Sequence, residues 1–188
     1  ETTRQGKFTY EAATSYSLPP IHLITFLFPN FFGSPINHTY WGAEIYWELG
    51  AYAGIVALLL ALLGLLFSKN SSYKWFFAVV ALFALLFSFG RYFPLFKVFY
   101  DFIPGFGLFR APSRMLFIFM LALSVLASFG ATWLGELKTQ LDRNKLNKPN
   151  LALLVLVIVL LIASASAFLF REKIIEYGQG LVLQRYEQ

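Results

Sequence analysis

Two arginines, four residues apart with a proline between them, are the residues of this sequence best suited to a chemical role. Arg110 and Arg114 end a Gly/Pro-rich approach, residues 105–114, that runs directly into the apolar segment 115–135. A guanidinium group is always charged and binds phosphate oxygens through two parallel hydrogen bonds. The pattern therefore predicts a phosphate site at the mouth of a membrane helix. Contact with lipid headgroups is an equally weighted alternative for these two arginines.

The segment before them, residues 90–114, alternates aromatic and basic residues and contains three prolines. Such a segment cannot cross hydrocarbon with unpaired backbone groups, so it is predicted to lie at the interface or to line a protein cavity. For Arg91 and Lys97, extension toward lipid headgroups is favoured over phosphate binding. Asp101 is the single carboxylate of this segment. We expect it to orient Lys97 or Arg110.

Four further polar residues are candidates for supporting roles. His22 and His38 occur without any cysteine and without a clustered pair of carboxylates, so no metal site is predicted and interfacial hydrogen bonding is favoured. Glu44 and Glu48 are four residues apart at the entry of the first apolar span. An ionisable residue at membrane depth is a functional candidate, although the neighbouring tryptophans favour a simple interfacial role.

Composition indicates the class of protein that carries these residues. Hydrophobic residues make up 58% of the 188 positions and charged residues only 13%. A chain this apolar is predicted to be an integral membrane protein. The net charge of +5 comes from basic residues at the ends of apolar runs, which are typical of membrane topology signals and predict no nucleic-acid partner.

The apolar runs predict an all-α membrane protein with a bundle of about four transmembrane helices. The spans are expected at about 47–67, 75–89, 115–135 and 151–170. Residues 1–46 are predicted to form an extracytoplasmic loop containing a short interfacial or re-entrant helix between Pro19–Pro20 and Pro29. Its phenylalanines, at positions 26, 28, 31 and 32, are expected at headgroup depth. Residues 171–188 are predicted to be an extracytoplasmic tail that continues in a longer parent chain.

Small residues at helical spacing predict where the spans pack against each other. They are Gly50, Gly54, Ala57 and Ala61 in the first span, and Ser124, Ala127, Ser128 and Ala131 in the third. Basic residues are densest in the loops 68–74 and 136–150, which are therefore predicted to be cytoplasmic. The segments 1–46 and 90–114 then share the extracytoplasmic face.

Several stretches taken in order resemble the YfhO-like bacterial membrane proteins, which are similar to the GT-C superfamily of polytopic glycosyltransferases. The most specific are Ser17-Leu-Pro-Pro, Phe28-Pro-Asn-Phe-Phe-Gly, and Ile103-Pro-Gly-Phe-Gly-Leu-Phe-Arg-Ala-Pro-Ser-Arg. The resemblance covers residues 1–135 and implies a multi-pass protein of the bacterial inner membrane. Such an enzyme moves a sugar from a polyprenyl-phosphate carrier to an extracytoplasmic acceptor.

The same resemblance implies that the catalytic carboxylate lies on an earlier loop, outside this sequence, and that a divalent cation belongs to the parent protein if one is needed. Arg110 and Arg114, supported by Arg91 and Lys97, would then bind the carrier phosphate. The segment 18–33 would seat the polyprenyl tail. A non-catalytic membrane subunit or transporter component of a larger complex is the alternative, although the four spans lack the internal charges that transporters use.

Overall fold

The computed structural model describes residues 8–42, 46–69 and 71–142. In this part of the chain every regular element is helical. The α-helices are α1 (Tyr10–Ala13), α2 (Ile55–Phe67), α3 (Ser72–Ser88), α4 (Pro94–Phe102) and α5 (Leu116–Asp142). Short 3₁₀ helices connect them at Pro20–Phe26, Pro35–Asn37, Tyr46–Glu48, Gly90–Tyr92, Phe106–Leu108 and Pro112–Met115. The predicted fourth span, 151–170, and the tail 171–188 lie outside the described residues.

One helix among the described residues is long and apolar enough to cross a membrane. It comprises the 3₁₀ turn before α5 and most of α5, Pro112–Leu137, with a mean hydropathy of 2.2 over its most apolar window. At about 1.5 Å per residue, the 13 residues of α2 and the 17 of α3 are shorter than the roughly 30 Å of a bilayer core. The helix α3 overlaps the predicted second span, 75–89, and α5 overlaps the third.

The first predicted span, 47–67, is helical only in its second half. The helix α2 begins at Ile55, because Gly54 before it has a φ of +86°, a left-handed conformation that does not continue a right-handed helix. Between residues 46 and 54, only the 3₁₀ turn Tyr46–Glu48 is a regular element. The helix predicted over 47–54 from its apolar composition was therefore wrong, since the glycines of this segment allow the backbone to turn.

The tightest helix contact joins α2 to α5, and it uses glycines that the small-residue pattern did not identify. A Cβ built on Gly64 would lie 2.6 Å from the backbone nitrogen of Gly130, and one built on Gly130 would overlap the Leu60 carbonyl. The predicted Ser124, Ser128 and Ala131 are exposed instead. The buried face of α5 lies on another side of the helix and includes Ala122, Leu123, Leu126 and Gly130.

The two ends of this helical core differ in character. At one end, Lys69 and Glu136 form an exposed ion pair of 2.9 Å that joins the end of α2 to α5. Lys74 lies at the same end and was predicted as a loop topology signal, but it is buried and donates to the Ser68 carbonyl at 3.0 Å. The N-terminal segment and residues 90–114 assemble at the other end.

The N-terminal segment packs on the helical core through backbone hydrogen bonds. Leu18 N donates to Ser88 O (2.9 Å), Ala111 N to Ala13 O (3.1 Å), and Ser113 N to Tyr16 O (3.1 Å). Ala13 and Leu18 are fully buried. Residues 8–18 are thus packed on the helical core, whereas the sequence predicted only that they belong to an extracytoplasmic loop.

The predicted short helix between the prolines is present as the 3₁₀ helix Pro20–Phe26, with Pro20 at its first position. Two of the four phenylalanines that were predicted at headgroup depth pack inside the fold. Phe26 is buried and stacks on Phe119 of α5 with ring centroids 5.4 Å apart, and Phe32 is buried beneath Trp41. Burial against α5 removes more apolar surface from solvent than an isolated interfacial position would.

Residues 90–114 fold over a cluster of four phenylalanines, which we call the phenylalanine cluster: Phe87, Phe96, Phe99 and Phe106. Ring centroids lie 5.3 Å apart for Phe87 and Phe96 and 5.5 Å apart for Phe96 and Phe106, both edge-to-face. Aromatic rings prefer this geometry because the positive edge of one ring meets the negative face of the next. The cluster fixes α4 and the approach to Arg110.

Candidate functional site

The approach to the two arginines is a chain of tight turns rather than an extended loop. Gly105 (φ +80°) precedes the 3₁₀ helix Phe106–Leu108, and Ala111 (φ +64°) precedes Pro112–Met115, which continues into α5. A left-handed alanine is uncommon and persists only where its surroundings fix it. Here Ala111 is buried and its N–H donates to Ala13 O. The turn therefore places Arg110 and Arg114 at one corner, defined here as the arginine corner.

Arg114 is held by a carboxylate from a distant part of the chain. Its Nε donates to Glu48 Oε2 at 3.2 Å and its Nη2 to Glu48 Oε1 at 2.9 Å, a two-pronged ion pair. Glu48 lies on the 3₁₀ turn before α2, outside the long helices. The Arg114 hydrogen bonds, assisted by the charges of Arg114 and Arg110, hold the pKa of Glu48 below its usual range against the opposing effect of burial. The predicted phosphate ligand Arg114 is therefore already paired with a carboxylate, although its side chain is 61% exposed.

Arg110 keeps an exposed guanidinium at the same corner. Its side-chain carbon Cζ lies 5.9 Å from the centre of the Phe8 ring, within the range of a cation–π contact. Its charge reaches Glu48, whose pKa it helps to lower. Within residues 8–42, 46–69 and 71–142, Arg110 makes no salt bridge. Two cations thus face one carboxylate at the arginine corner.

The other predicted phosphate ligands do not join this corner. Arg91 donates from Nε (3.1 Å) and Nη2 (2.8 Å) to the Thr14 carbonyl and so fixes the N-terminal segment, which contradicts extension toward headgroups. Lys97 is exposed on α4. Asp101 forms no salt bridge with Lys97 or Arg110 in the described structure. It lies near Tyr10 instead, whose pKa is raised by burial and then by the Asp101 charge.

The histidines occupy contrasting positions. His38 is exposed in a left-handed turn (φ +54°) after Pro35–Asn37. His22 is 2% exposed and stacks on Phe32 with ring centroids 4.1 Å apart, and burial lowers the pKa of its imidazole to about 4. It was predicted as an interfacial hydrogen-bonding group, whereas it is a core residue. Glu44, the remaining candidate, lies outside the described residues.

His22 borders a cavity of about 250 Å³ that the sequence did not predict, and we call it the tyrosine cavity. Its wall includes His22, Thr25, Phe32, Tyr40, Tyr46 and Tyr52. Leu49 and Gly50 also line it, directly after Glu48 in the chain. The cavity wall is therefore continuous in the chain with Glu48, the partner of Arg114. The available signal was the density of tyrosine and tryptophan over residues 40–52, where the tryptophans predicted only an interfacial role for Glu44 and Glu48.

Two buried polar atoms have no hydrogen-bond partner among the described residues: Ser113 Oγ, between the two arginines, and Trp41 Nε1. In the same described part of the chain, no group of three or more His, Cys, Asp or Glu side chains is arranged to hold a metal ion. The chemistry that this end of the molecule offers is therefore cationic and hydrogen-bonding, at the arginine corner and in the tyrosine cavity.

Comparison of the chain with models of protein families, with curated proteins and with solved structures gave no match in any of the three.

Proposed function

We infer that this chain is the carrier-binding part of a multi-pass membrane glycosyltransferase of GT-C type, with the arginine corner as the site for the phosphate of a polyprenyl-phosphate-linked sugar. The observation that carries the proposal is the exposed guanidinium of Arg110 beside an ion pair, so that two cations share one carboxylate. A phosphate group would complete the neutralisation of this corner. Charge-assisted hydrogen bonds of this kind are roughly twice as strong as neutral ones.

Arg110 and Arg114 have different roles in this proposal. Arg110 binds the phosphate directly, because its guanidinium is exposed. Arg114 is fixed by Glu48, and it contributes positive charge and holds the turn that carries Arg110. As the sugar leaves, negative charge grows on the carrier phosphate, and a guanidinium already in position stabilises it.

The polyprenyl tail requires an apolar surface next to Arg110. The segment 18–33 is unsuited to this role because Phe26 and Phe32 are buried. Exposed apolar side chains occur instead just before Arg110: Phe102 (79% exposed), Ile103, Leu108 and Phe109 (66% exposed). We assign the start of the tail to this surface. The bilayer is the other partner, with the inner membrane of a bacterium as the proposed location and four spans in the whole chain.

The test is binding of polyprenyl phosphate to the full chain in lipid nanodiscs, with Arg110→Gln as the variant. Loss of a charge-assisted contact is expected to weaken binding about tenfold or more. Lys97→Gln is the matched control, because Lys97 is also an exposed cation of the same segment. Binding by Arg110→Gln within twofold of the unchanged protein, or an equal loss in Lys97→Gln, would contradict the phosphate site.

A non-catalytic membrane subunit is the second candidate, and the ion pair between Arg114 and Glu48 favours it. An arginine paired by two hydrogen bonds to Glu48 is typical of an ion pair that fixes two segments. If Glu48→Gln lowers thermal stability while Arg110→Gln leaves polyprenyl-phosphate binding unchanged, the arginine corner is structural and this second function is the better one.

A further inference from the structure

The tyrosine cavity has the size of a site for one substituted six-membered ring. A cavity of about 150 Å³ is large enough to hold benzene. At about 250 Å³, the tyrosine cavity has room for a ring with several substituents. Its wall is drawn from three stretches that are separate in sequence, 22–32, 40 and 46–52, so only the folded chain forms it.

The wall of the cavity carries no charged side chain among the residues that the structure describes. None of the described residues that line it is Lys, Arg, Asp or Glu, and its one titratable base, His22, is neutral at pH 7. Glu48, which directly precedes the lining residue Leu49, is paired with Arg114. Burying a charged group in such a place costs several kcal/mol without a partner, so an uncharged ligand is favoured.

The wall also supplies hydrogen-bonding groups among aromatic faces. Tyr40, Tyr46 and Tyr52 bring three hydroxyls, and Thr25 Oγ1 donates to His22 O (2.7 Å) while keeping acceptor capacity. The Tyr46 hydroxyl reaches Asn30 Oδ1 only at 3.4 Å, a weak bond that a ligand could replace. Apolar walls with a few placed polar groups are typical of sites for small molecules.

We propose that the tyrosine cavity binds an uncharged, hydroxylated six-membered ring, namely a hexose. The C–H faces of a hexose pack on aromatic rings and its hydroxyls bond to the tyrosine and threonine oxygens. The inference rests on the proposed function for the source of the sugar, since the lining residues Leu49 and Gly50 directly follow Glu48, which is paired with Arg114 at the arginine corner. The phosphate at one end and the hexose at the other would together fix a carrier-linked sugar.

The experiment measures saturation-transfer NMR of free glucose, galactose and mannose with the full chain in nanodiscs. Glucuronate, which adds one negative charge to the same ring, and cyclohexanol, which lacks most hydroxyls, are the comparison ligands. At least one hexose is expected to bind saturably and at least tenfold more tightly than both. Absence of saturable hexose binding, or cyclohexanol binding as tightly, would overturn the proposal.

Two variants locate the binding. Gly50→Val adds volume at the cavity wall, where a Cβ meets nothing closer than 3.8 Å, and should abolish the hexose signal. Gly135→Val is its matched control on α5, where a Cβ meets nothing within 4 Å. Tyr46→Phe keeps the ring and should weaken hexose binding about fivefold, which tests the site even if Gly50→Val fails to fold. Unchanged hexose binding in Tyr46→Phe and in any folded Gly50→Val would refute the assignment.

Free hexose carries no phosphate and polyprenyl phosphate carries no sugar, so the two sites are tested separately. Loss of polyprenyl-phosphate binding in Arg110→Gln with hexose binding intact supports both assignments. Hexose binding without polyprenyl-phosphate binding in the unchanged protein supports the cavity and refutes the arginine corner. The reverse result refutes the cavity alone.

Discussion

Two aromatic regions at the same end of the molecule have opposite packing. The phenylalanine cluster is filled, with rings in edge-to-face contact and Phe96 only 2% exposed. The tyrosine cavity has rings of similar size around an open volume of about 250 Å³. Phenylalanine rings pack closely because they have no polar atom to satisfy, whereas each tyrosine hydroxyl requires a hydrogen-bond partner. The comparison separates aromatic residues that fill the space between them from aromatic residues that surround a cavity.

The largest effect on stability is expected from removing a ring of the phenylalanine cluster. Phe96→Ala removes a ring that contacts Phe87, Phe106 and Tyr10, and should lower the free energy of unfolding by about 3–5 kcal/mol. Denaturant titration of the chain in detergent, followed by circular dichroism, measures this loss. A change below about 1 kcal/mol would mean that the phenylalanine cluster contributes little to the stability of the fold. Phe102→Ala, at a position 79% exposed, is the matched control.

The cavity wall should show a pH dependence that the phenylalanine cluster lacks. Because burial lowers the pKa of His22 from 6.5 to about 4, the unfolded chain binds more protons than the folded chain between these values. Stability is therefore complete above pH 6.5 and falls as the pH decreases toward 4, by about 3 kcal/mol at most. Denaturant titrations at several pH values measure the loss.

The control for this pH effect is the exposed His38. His22→Gln should flatten the stability profile between pH 6.5 and 4, while His38→Gln should leave it unchanged, since His38 is in solvent. An equal slope in His22→Gln and the unchanged protein would show that other groups cause the acid sensitivity. His22 would then be no source of it.

The smallest stability effect is expected at Tyr46. Its hydroxyl makes only a long contact to Asn30, so Tyr46→Phe should change the free energy of unfolding by less than about 0.5 kcal/mol. Thermal unfolding monitored by circular dichroism measures this change beside the expected loss of hexose binding. A loss above about 2 kcal/mol would place Tyr46 with the structural residues of the phenylalanine cluster.

Local elements of this fold were predicted correctly from sequence where an apolar run or a proline was sufficient to specify a helix. The 3₁₀ helix Pro20–Phe26 follows its prolines, and α3 and α5 overlap apolar runs that were predicted as helical. The beginning of α2 was not readable, because glycines at 50 and 54 suit helix packing and backbone turns equally well. The Gly64–Gly130 contact was not predicted, because a close approach at Gly130 can be recognised only when the partner helix is known.

The candidate site was predicted only in part for a similar reason. Arg110 and Arg114 were identified from spacing, yet the partner of Arg114 lies 66 residues earlier in the chain. Arg91 was interpreted as a cation seeking headgroups, and it binds the Thr14 carbonyl, 77 positions away. Long side chains reach whatever the fold brings near, so their roles depend on contacts that no local pattern encodes.

The amino-acid sequence by itself determined the apolar, helical character of this protein and the pairing of two arginines with the start of its longest helix. Hydrophobicity and backbone preference act over a few residues, and so they can be read along the chain. Only the tertiary structure decided that Glu48 neutralises Arg114, that Phe26 and Phe32 are core residues, and that His22 and three tyrosines enclose a cavity. Burial, ion pairing and cavity shape arise between segments, and they exist once those segments meet.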